Sequence, residues 1–552
     1  LTDGVNEYMR ANYRPAPFRD LFFSRQPTRD GRRGSETASA KFTSVLENVT
    51  FTSHAENSPI LMALKASAEN SQNRLSINLM LCGFSKQSTF GDMCGAIGPW
   101  NDDDPLSFVA GRRFTIDQAS ALNPKKLNMV GNANGFGYFD VILRDNQLSA
   151  DLSNAFPQDE NSQAKDLGDL QFAILRTPDV VTGLGTPDAA AKAGILTSVE
   201  IGPDQVELLG AVDYQGANWL FAEAGICHLK LSDAQCQLAS NLPLAIVQPV
   251  GGKYKVMIRE AIGGLFTRAE TFEFRMDPTK TQPAIDEIHI LASQFGRPLP
   301  NVQIALKRQA PVDGGSSFRD VLPDVKTPWI NQPVNALELP ESQNTGPDGW
   351  ATFQVIAHDP GNPRNYVDGQ IYQVGYYLTI AGLNRAPMFE VLVFHVRRAV
   401  HVPEHPDWDT DIRPFMQQYD NLYPIMSHRL FSLADPEVAR ANAKLLSFAF
   451  ERDFENPNHM PVTRDLSAGK RQIMLNWLAD FLDATPANVM PASIGTIPEI
   501  CDAGPALVAA PQTTVEELEA MIAALPHEDD GKSAAAAAHL RVEIAAIKGT
   551  QS

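Results

Sequence analysis

The segment HVPEHPDWD is the first candidate for chemistry, because it combines two histidines with several acids. Imidazole and carboxylate groups together suit zinc or iron, so His401, His405 and Asp407 are candidate metal ligands. Histidines four residues apart share a face only on a helix, and the two prolines of the segment oppose a helix here. The segment is therefore either a metal site or a loop between two domains.

A second candidate is the loop from Asp453 to Asp465, which contains His459 and Arg464. A histidine titrates near neutral pH, and a guanidinium group binds carboxylates in a fixed geometry. One hypothesis is that His459 and Arg464 bind a small-molecule substrate, with Arg464 anchoring the carboxylate of an α-keto or α-imino acid. In the alternative, Arg464 ties the loop to a helix end or to Asp465, and His459 is an ordinary surface residue.

The other suggestive motifs lack the spacing that chemistry needs. Gly131, Gly135 and Gly137 in GNANGFGY fit neither a dinucleotide-binding nor a phosphate-binding pattern, and they predict a tight turn before a strand. Cys227 and His228 are adjacent, and adjacent strand residues point to opposite faces, so they make a poor pair of nucleophile and base. The sequence thus contains no self-sufficient catalytic constellation.

The composition argues against several classes of protein. The chain has 46 Lys and Arg against 65 Asp and Glu, a formal net charge of −19, which argues against nucleic acid as a partner. No apolar run approaches the roughly 20 residues that span a bilayer. The 5 cysteines are odd in number and show no Cys-x-x-Cys spacing, which is typical of a cytoplasmic protein.

The part of the chain that precedes these candidate residues is predicted to be rich in β-strands. Residues 1–40 are rich in Arg, Pro and Gly and show no periodicity, so they predict an extended N-terminal arm. Residues 41–277 predict one antiparallel β domain, because apolar and polar residues alternate, as at 75–81 and 139–143. The last part of this domain, residues 254–276, predicts a hairpin that turns at two adjacent glycines.

Residues 278–400 predict an immunoglobulin-like β-sandwich. A Gly/Pro turn and an alternating strand in GRPLPNVQIALKR are followed by further strands in GPDGWATFQVIA, QIYQVGYYLTIA and MFEVLVFHVR. The fold class is therefore mainly β, with a large antiparallel β domain and a sandwich, followed by a small α-helical C-terminal region.

Residues 401–485 predict that helical segment, because the apolar period changes from two to about 3.6. Asp435 and Pro436 are a suitable N-cap and first residue for one helix, and Ser467 is a suitable N-cap for another. Residues 486–552 are rich in Ala, Pro and acids, and they predict an acidic tail with short helices.

Residues 420–478, within the helical segment, resemble part of a known enzyme family. The similar group is the iminophenylpyruvate dimer synthases of violacein and indolocarbazole biosynthesis. The resemblance lies at Tyr423-Pro424, Met426-Ser427, Phe431-Ser432-Leu433-Ala434-Asp435, Met460-Pro461, Thr463-Arg464, Leu466-Ser467 and Leu478.

The resemblance implies a subunit of a bacterial oxidoreductase of secondary metabolism that acts on an amino-acid-derived substrate. In the family, this stretch precedes a ferritin-like iron domain. Here no long four-helix stretch with spaced Glu and Glu-x-x-His ligands follows. The resemblance therefore implies that haem or non-haem iron is carried by a separate ferritin-like subunit.

Two other functions stay open. The chain could be a non-catalytic β-rich scaffold or binding protein, with the helical segment as the interface of a homo-oligomer. It could also be a carbohydrate-active β-sandwich hydrolase, although plentiful acids are not the positioned pair of carboxylates that glycoside hydrolysis needs.

Overall fold

The structure of this chain is a computed structural model, and it describes a defined set of residues. These are residues 1, 5–27, 33–85, 92–114, 136–137, 139–153, 155–156, 164–176, 200–214, 220, 223–311, 330–363, 368–380, 383–385, 391–423, 431–454, 456 and 458–482. The chain divides into two units, residues 1–489 and 490–552. The predicted acidic tail at 486–552 and the predicted turn at Gly131 and Gly135 lie outside the described residues.

The first sheet is formed by β1 Met9–Tyr13, β2 Arg19–Pro27, β3 Arg33–Phe51, β4 Leu75–Ser85 and β5 Asp92–Pro99. The order is β1-β3-β4-β5, and β2 also pairs with β3. Helix α1, Pro59–Asn70, connects β3 to β4. The structure thus places strands where the composition suggested an arm, because β1 and β2 find their hydrogen-bond partners along the long strand β3.

The second region contains two sheets that share one apolar core. Its strands are β6 Arg112–Phe114, β7 Phe139–Arg144, β8 Gln147–Asp151, β9 Gln171–Leu175, β10 Glu200–Ile201, β11 Val206–Ala211, β12 Ile226–Lys230, β13 Leu244–Val250 and β14 Lys253–Arg259. One sheet has the order β12-β8-β7-β6 and the other β10-β14-β13-β9-β11. Phe139 and Phe172, one from each sheet, lie in the same buried cluster. Helix α2, Asp233–Ala239, follows β12.

The third region is a β-sandwich. Its strands are β15 Leu265–Ala269, β16 Glu273–Met276, β17 Ala284–Gln294, β18 Arg297–Pro298, β19 Gln303–Arg308, β20 Leu337–Glu338, β21 Ser342–Asn344, β22 Trp350–Ala357, β23 Gln370–Ile380, β24 Leu383–Arg385 and β25 Leu392–Val396. One sheet has the order β15-β17-β22-β20, with β18 beside β17, and the other β16-β25-β23-β19-β21, with β24 beside β23. Inward residues of both sheets, such as Phe353 and Phe394, form one core between them.

Strand pairing crosses the predicted boundary between residues 277 and 278. β15 pairs antiparallel with β17, and β16 runs parallel to β25, so both strands belong to the sandwich. The predicted hairpin over residues 254–276 does not form, because β14 and β15 belong to different sheets. The chain turns between them at Gly263 and Gly264, whose φ angles of 67° and 63° favour glycine.

The helical segment consists of α3 Arg413–Leu422, α4 Pro436–Ala441, α5 Ala443–Glu451 and α6 Ala468–Ala479. Trp408, Met416, Leu446, Met474 and Trp477 form the centre of its apolar core. Asp435 is the N-cap of α4, as predicted, and its Oδ1 accepts hydrogen bonds from Glu437 N and Val438 N. The mainly β fold class, with a small helical C-terminal region, is confirmed.

Two features relate to the cellular environment of the chain: its possible membrane-spanning helices and its cysteines. In the part of the chain that the structure describes, no helix has both the length and the apolar composition needed to cross a membrane. Cys94, Cys227 and Cys236 are free thiols. The cytoplasmic location and the domain boundaries given by the sequence stay predictions.

Candidate functional site

The candidate site is the loop between α5 and α6, residues 452–467, which is bound to one end of the sandwich. Asp277 follows β16 and Arg397 follows β25. Because these two strands are parallel, the two residues lie at the same end of the sheet. Arg397 Nη1 donates a hydrogen bond to Asp277 Oδ2 at 3.0 Å. Asp277 Oδ1 accepts one from Ala468 N, in the first turn of α6, at 3.1 Å. The parallel strand pair therefore fixes the position of α6.

Arg397 also fixes the loop directly. Its side chain is 3% exposed, and its Nη2 donates to the backbone oxygen of Arg464 at 2.5 Å. A second connection joins Lys470 Nζ to Asp368 Oδ2 at 3.0 Å. Charge-assisted contacts on both sides of the loop thus hold it against the sandwich.

Arg464 uses its guanidinium within the loop. Its Nε donates to Phe454 O at 3.2 Å, Nη1 to Val462 O at 2.6 Å and Nη2 to Asn456 O at 2.8 Å. The backbone φ of Arg464 is 52°, a left-handed conformation. In this structure the guanidinium closes the loop on itself, and a substrate carboxylate would compete with three backbone carbonyls. The predicted contact with substrate stays a prediction.

His459 is buried in the same loop rather than lying on the surface. It is 3% exposed, and Nδ1 donates to Arg452 O at 2.9 Å. The ring packs edge-on against Phe454 at 5.7 Å between centroids. Burial lowers the pKa of the His459 imidazole, and the positive charges of Arg471 and Arg464 lower it further. The neutral imidazole, with Nε2 unprotonated, is therefore the favoured form.

A set of hydroxyl groups completes the loop on its α3 side. Tyr419 OH donates to Asp465 Oδ1 at 3.2 Å, and Thr463 Oγ1 donates to the same oxygen at 2.5 Å. Tyr423 OH and Thr463 Oγ1 are 2.8 Å apart. Burial, followed by the charge of Asp465, raises the pKa of the Tyr419 phenol, so this group stays protonated and acts as a hydrogen-bond donor.

The structure brings His459 and Arg464 together, and it adds residues that the sequence does not predict for a site. Asp277 and Arg397 are 120 positions apart, and only the parallel pairing of β16 with β25 makes them neighbours. Tyr419 lies on α3, one turn before Tyr423, and is buried in the helical core. Long-range pairing of this kind leaves no local trace in a sequence.

The predicted metal ligands do not form a donor set. His401 and His405 are exposed, and Asp407 is the N-cap of the helical turn at Trp408–Ile412. Asp407 Oδ1 accepts hydrogen bonds from Thr410 N at 3.0 Å and Thr410 Oγ1 at 3.1 Å. Within the described ranges, no three His, Cys, Asp or Glu side chains converge as metal ligands. The metal site at His401, His405 and Asp407 stays a prediction, and we assign no step of chemistry to a metal ion here.

Cys227 and His228 are neighbours on β12, and their side chains have different surroundings. His228 Nδ1 is 2.9 Å from both Gln147 Nε2 and Ser149 Oγ, on the neighbouring strand β8. Burial and the charge of Asp213 raise the pKa of the Cys227 thiol, so little thiolate forms at neutral pH. This pair lacks the arrangement of a nucleophile and its base.

A cluster of buried charges connects the first sheet to the second region. Lys41 Nζ lies 2.9 Å from Asp151 Oδ2, and Arg113 Nη1 lies 2.9 Å from Asp140 Oδ2. Burial alone would raise the pKa of Asp151, but Lys41 and the hydrogen bonds of Ser153 outweigh it, so the pKa is lowered. The cavity at this cluster measures about 10 Å³, room for about one water molecule. The cluster is therefore a structural connection and not a substrate pocket.

Solved structures offer only weak likenesses. A family 123 glycoside hydrolase from Clostridium perfringens is 10% identical, with a TM-score of 0.15 over 25% of this chain and 28% of that one. The adhesin InvE from Yersinia pseudotuberculosis is 11% identical, with a TM-score of 0.15 over 47% of this chain and 59% of that one. TM-scores this low do not indicate a shared fold. No known protein family has a sequence profile that matches the chain.

A curated relative gives a firmer comparison. The chain is 26% identical over 267 residues to 2-imino-3-(indol-3-yl)propanoate dimerase from Chromobacterium violaceum. The match covers 47% of this chain and 24% of the dimerase, so the chain spans about a quarter of the relative's length. The resemblance to imino acid dimer synthases is thereby confirmed over a segment of the chain.

Proposed function

We propose that this chain is a subunit of a biosynthetic oxidoreductase related to that dimerase. It would act with a separate ferritin-like iron subunit on an imine derived from an amino acid. The observation that carries the proposal is the 26% identity over 267 residues. At the level of the fold, the chain is a set of β sheets followed by a compact helical segment, which suits a scaffold for a catalytic partner.

The loop at 452–467 is the part of the chain that we assign to the enzyme's function. It contains Met460, Pro461, Thr463, Arg464 and Ser467, which carry part of the resemblance. Contacts to Asp277 and Arg397 hold it at a fixed position on the sandwich. A loop held in this way presents a constant surface, as expected for a site that orients a substrate or a partner subunit.

We assign the iron to a partner because the stretch that residues 420–478 resemble precedes a ferritin-like iron domain in the dimer synthase family. What this chain supplies under the proposal is position, because the loop lies between the end of a rigid sandwich and a helical core.

The test is reconstitution of the complex. The chain is purified from its native source, co-purifying proteins are identified by mass spectrometry, and iron is measured in the complex and in the chain alone. The proposal expects a ferritin-like protein in the complex, iron only when that protein is present, and oxidative coupling of an aromatic α-imino acid by the mixture. A chain that purifies without an iron protein, and a mixture without coupling activity, would contradict it.

Arg464 provides a sharper version of this test. If the loop orients substrate, the Arg464→Ala variant should fold, bind the iron subunit and show a raised KM. The Arg413→Ala variant, which removes an exposed arginine of α3, is the matched control and should leave KM unchanged. A folded Arg464→Ala complex with an unchanged KM would remove the substrate role and leave the loop as a structural connection.

A further inference from the structure

A groove outside the loop already described lies on the outer face of one sandwich sheet. It has a volume of about 1120 Å³ and is lined by strands β19, β21 and β23 and by the segment that leads through β20. Directly paired residues on neighbouring strands share a face of the sheet. Two pairs line the groove, Gln303 with Thr379 and Ala305 with Tyr377, and Lys307, which pairs with Gly375, lines it as well.

The opposite face of the same strands is the core of the sandwich. Ile304, Tyr376 and Leu378 alternate with the groove residues and are buried. The strands that carry the groove are therefore fixed by packing on their other side, and the positions of the groove side chains follow from the register of the sheet.

Tyr377 has room to lie along the strand because of a glycine. A Cβ atom added to Gly375 would lie 2.9 Å from the Tyr377 hydroxyl oxygen and 3.3 Å from two ring carbons. The phenol end of Tyr377 thus occupies the space over Gly375, two residues earlier on the same face. Its cross-strand partner Ala305 is also small. Small residues on two sides hold the ring low against the sheet and leave it half-buried at the groove.

The groups around the ring are polar and their charges balance. Gln303, Ser342, Thr379 and Asn335 contribute amides and hydroxyls. Gln303 Nε2 donates to Ser342 Oγ at 3.1 Å. The charged lining residues are two cations and two anions, Lys307, Arg308, Glu338 and Glu341. Arg308 donates to the backbone oxygens of Val334 and Leu337, which fixes one wall of the groove.

An aromatic ring bordered by amides and hydroxyls has the chemistry that recognises a sugar. A pyranose ring offers an apolar face of C–H groups to an aromatic ring, and its hydroxyls both donate and accept hydrogen bonds. Balanced charges favour a neutral ligand, since a charged one would leave some lining group uncompensated. Pockets for single small molecules measure roughly 300–1,000 Å³, so a groove of about 1120 Å³ has room for several sugar rings.

We propose that this groove binds a neutral oligosaccharide. One sugar ring stacks on Tyr377, and its hydroxyls bond to Gln303, Ser342 and Thr379. The proposal concerns binding alone and is independent of the biosynthetic function proposed above.

The test is calorimetric titration of the full chain with neutral gluco-, xylo-, manno- and chito-hexaoses. We expect saturable binding of at least one of them, with a Kd between about 10 μM and about 1 mM. Tyr377→Ala should weaken binding about tenfold or more, and Tyr377→Trp should retain it. Gln303→Ala, a change at an exposed position, should weaken binding about threefold and keeps the test valid if Tyr377→Ala fails to fold.

A control variant distinguishes stacking on Tyr377 in the groove from nonspecific binding of sugars elsewhere on the protein. Tyr13→Ala removes a tyrosine that is 59% exposed on β1, and it should leave the Kd unchanged. The proposal is overturned if no hexaose binds the folded wild-type chain at millimolar concentration, or if Tyr377→Ala binds as well as wild type. Binding of indole-3-pyruvate at Tyr377, without binding of any sugar, would overturn it too and would place an aromatic acid in the groove.

Discussion

Arg112 and Glu260 form an ion pair in which each side chain is 1% exposed. Arg112 Nε donates to Glu260 Oε1 at 2.9 Å, and Glu260 Oε2 accepts from Leu244 N at 3.1 Å. Removal of the carboxylate leaves a buried guanidinium without its counter-charge. We therefore expect Glu260→Ala to lower the free energy of unfolding by about 3–5 kcal/mol.

Denaturant titration measures this loss. Asp409→Ala is the matched control, because it breaks the exposed pair with Arg413 and should cost less than about 1 kcal/mol. Similar losses in the two variants would show that burial of the Arg112 pair has no special effect.

The buried imidazole of His459 gives the loop a dependence on pH. Because the folded chain lowers the pKa of His459, the folded state binds fewer protons than the unfolded state, whose histidine pKa is about 6.5. Stability is then fully present above pH ~6.5 and falls as the pH drops through that value. We expect the melting temperature to decrease between about pH 7 and pH 5, and less steeply in His459→Gln.

His289→Gln is the control for this pH series, since its side chain is 46% exposed. Its melting temperature should follow that of the wild type at each pH. If His459→Gln also follows the wild type, the imidazole of His459 is not the titrating group.

Some contacts of the site could be predicted from local sequence and others could not. Ser467 is the predicted N-cap of α6, and its Oγ accepts a hydrogen bond from Lys470 N at 3.3 Å. A cap of this kind depends on three or four neighbouring residues. The donation of Arg464 to three backbone carbonyls depends instead on the path of the whole loop, and the Asp277–Arg397 contact depends on strand pairing.

At the scale of elements, Trp477 on α6 lies at the centre of the helical core. It is 4% exposed, and its ring centroid is 4.6 Å from that of Trp408 and 4.8 Å from that of Phe481. Truncation leaves a large cavity among three helices. We expect Trp477→Ala to cost about 3–5 kcal/mol, measured by denaturant titration with near-ultraviolet circular dichroism.

Leu445→Ala is the control on the neighbouring helix α5, because Leu445 is 40% exposed. Its cost should be clearly smaller than that of Trp477→Ala, since 40% of the surface of Leu445 already faces water and the side chain is smaller. An equal loss in Leu445→Ala would mean that the helical core has no distinct centre.

Elements with regular apolar spacing were predictable, and elements held by distant partners were not. β4 and β7 cover the alternating residues 75–81 and 139–143, because alternation reports which side faces a core. β1 and β2 have no such pattern, and their strand form comes from pairing with β3. The helix predicted to begin at Asp435 and Pro436 ends at Ala441, and α5 starts after Asn442, whose Nδ2 donates to Val438 O at 2.9 Å.

At the scale of the whole molecule, the pairing of β15 with β17 and of β16 with β25 decides which fragments fold. Phe274 of β16 stacks on Phe394 of β25 with 4.7 Å between ring centroids, and both are buried in the sandwich core. We expect a fragment of residues 261–482 to show cooperative thermal unfolding. A fragment of residues 278–482 lacks both strands and should not. Cooperative unfolding of the shorter fragment would support the boundary predicted from sequence.

The parallel pairing of β16 with β25 also has a consequence for synthesis of the protein on the ribosome. Asp277 and Arg397, at the ends of these strands, are separated by 120 positions. At about 5–20 residues per second, β16 waits on the order of ten seconds for its partner to emerge. During that time Phe274, Met276 and an unpaired strand edge are open to other chains. The yield of folded protein should therefore respond to translation speed and to chaperone supply.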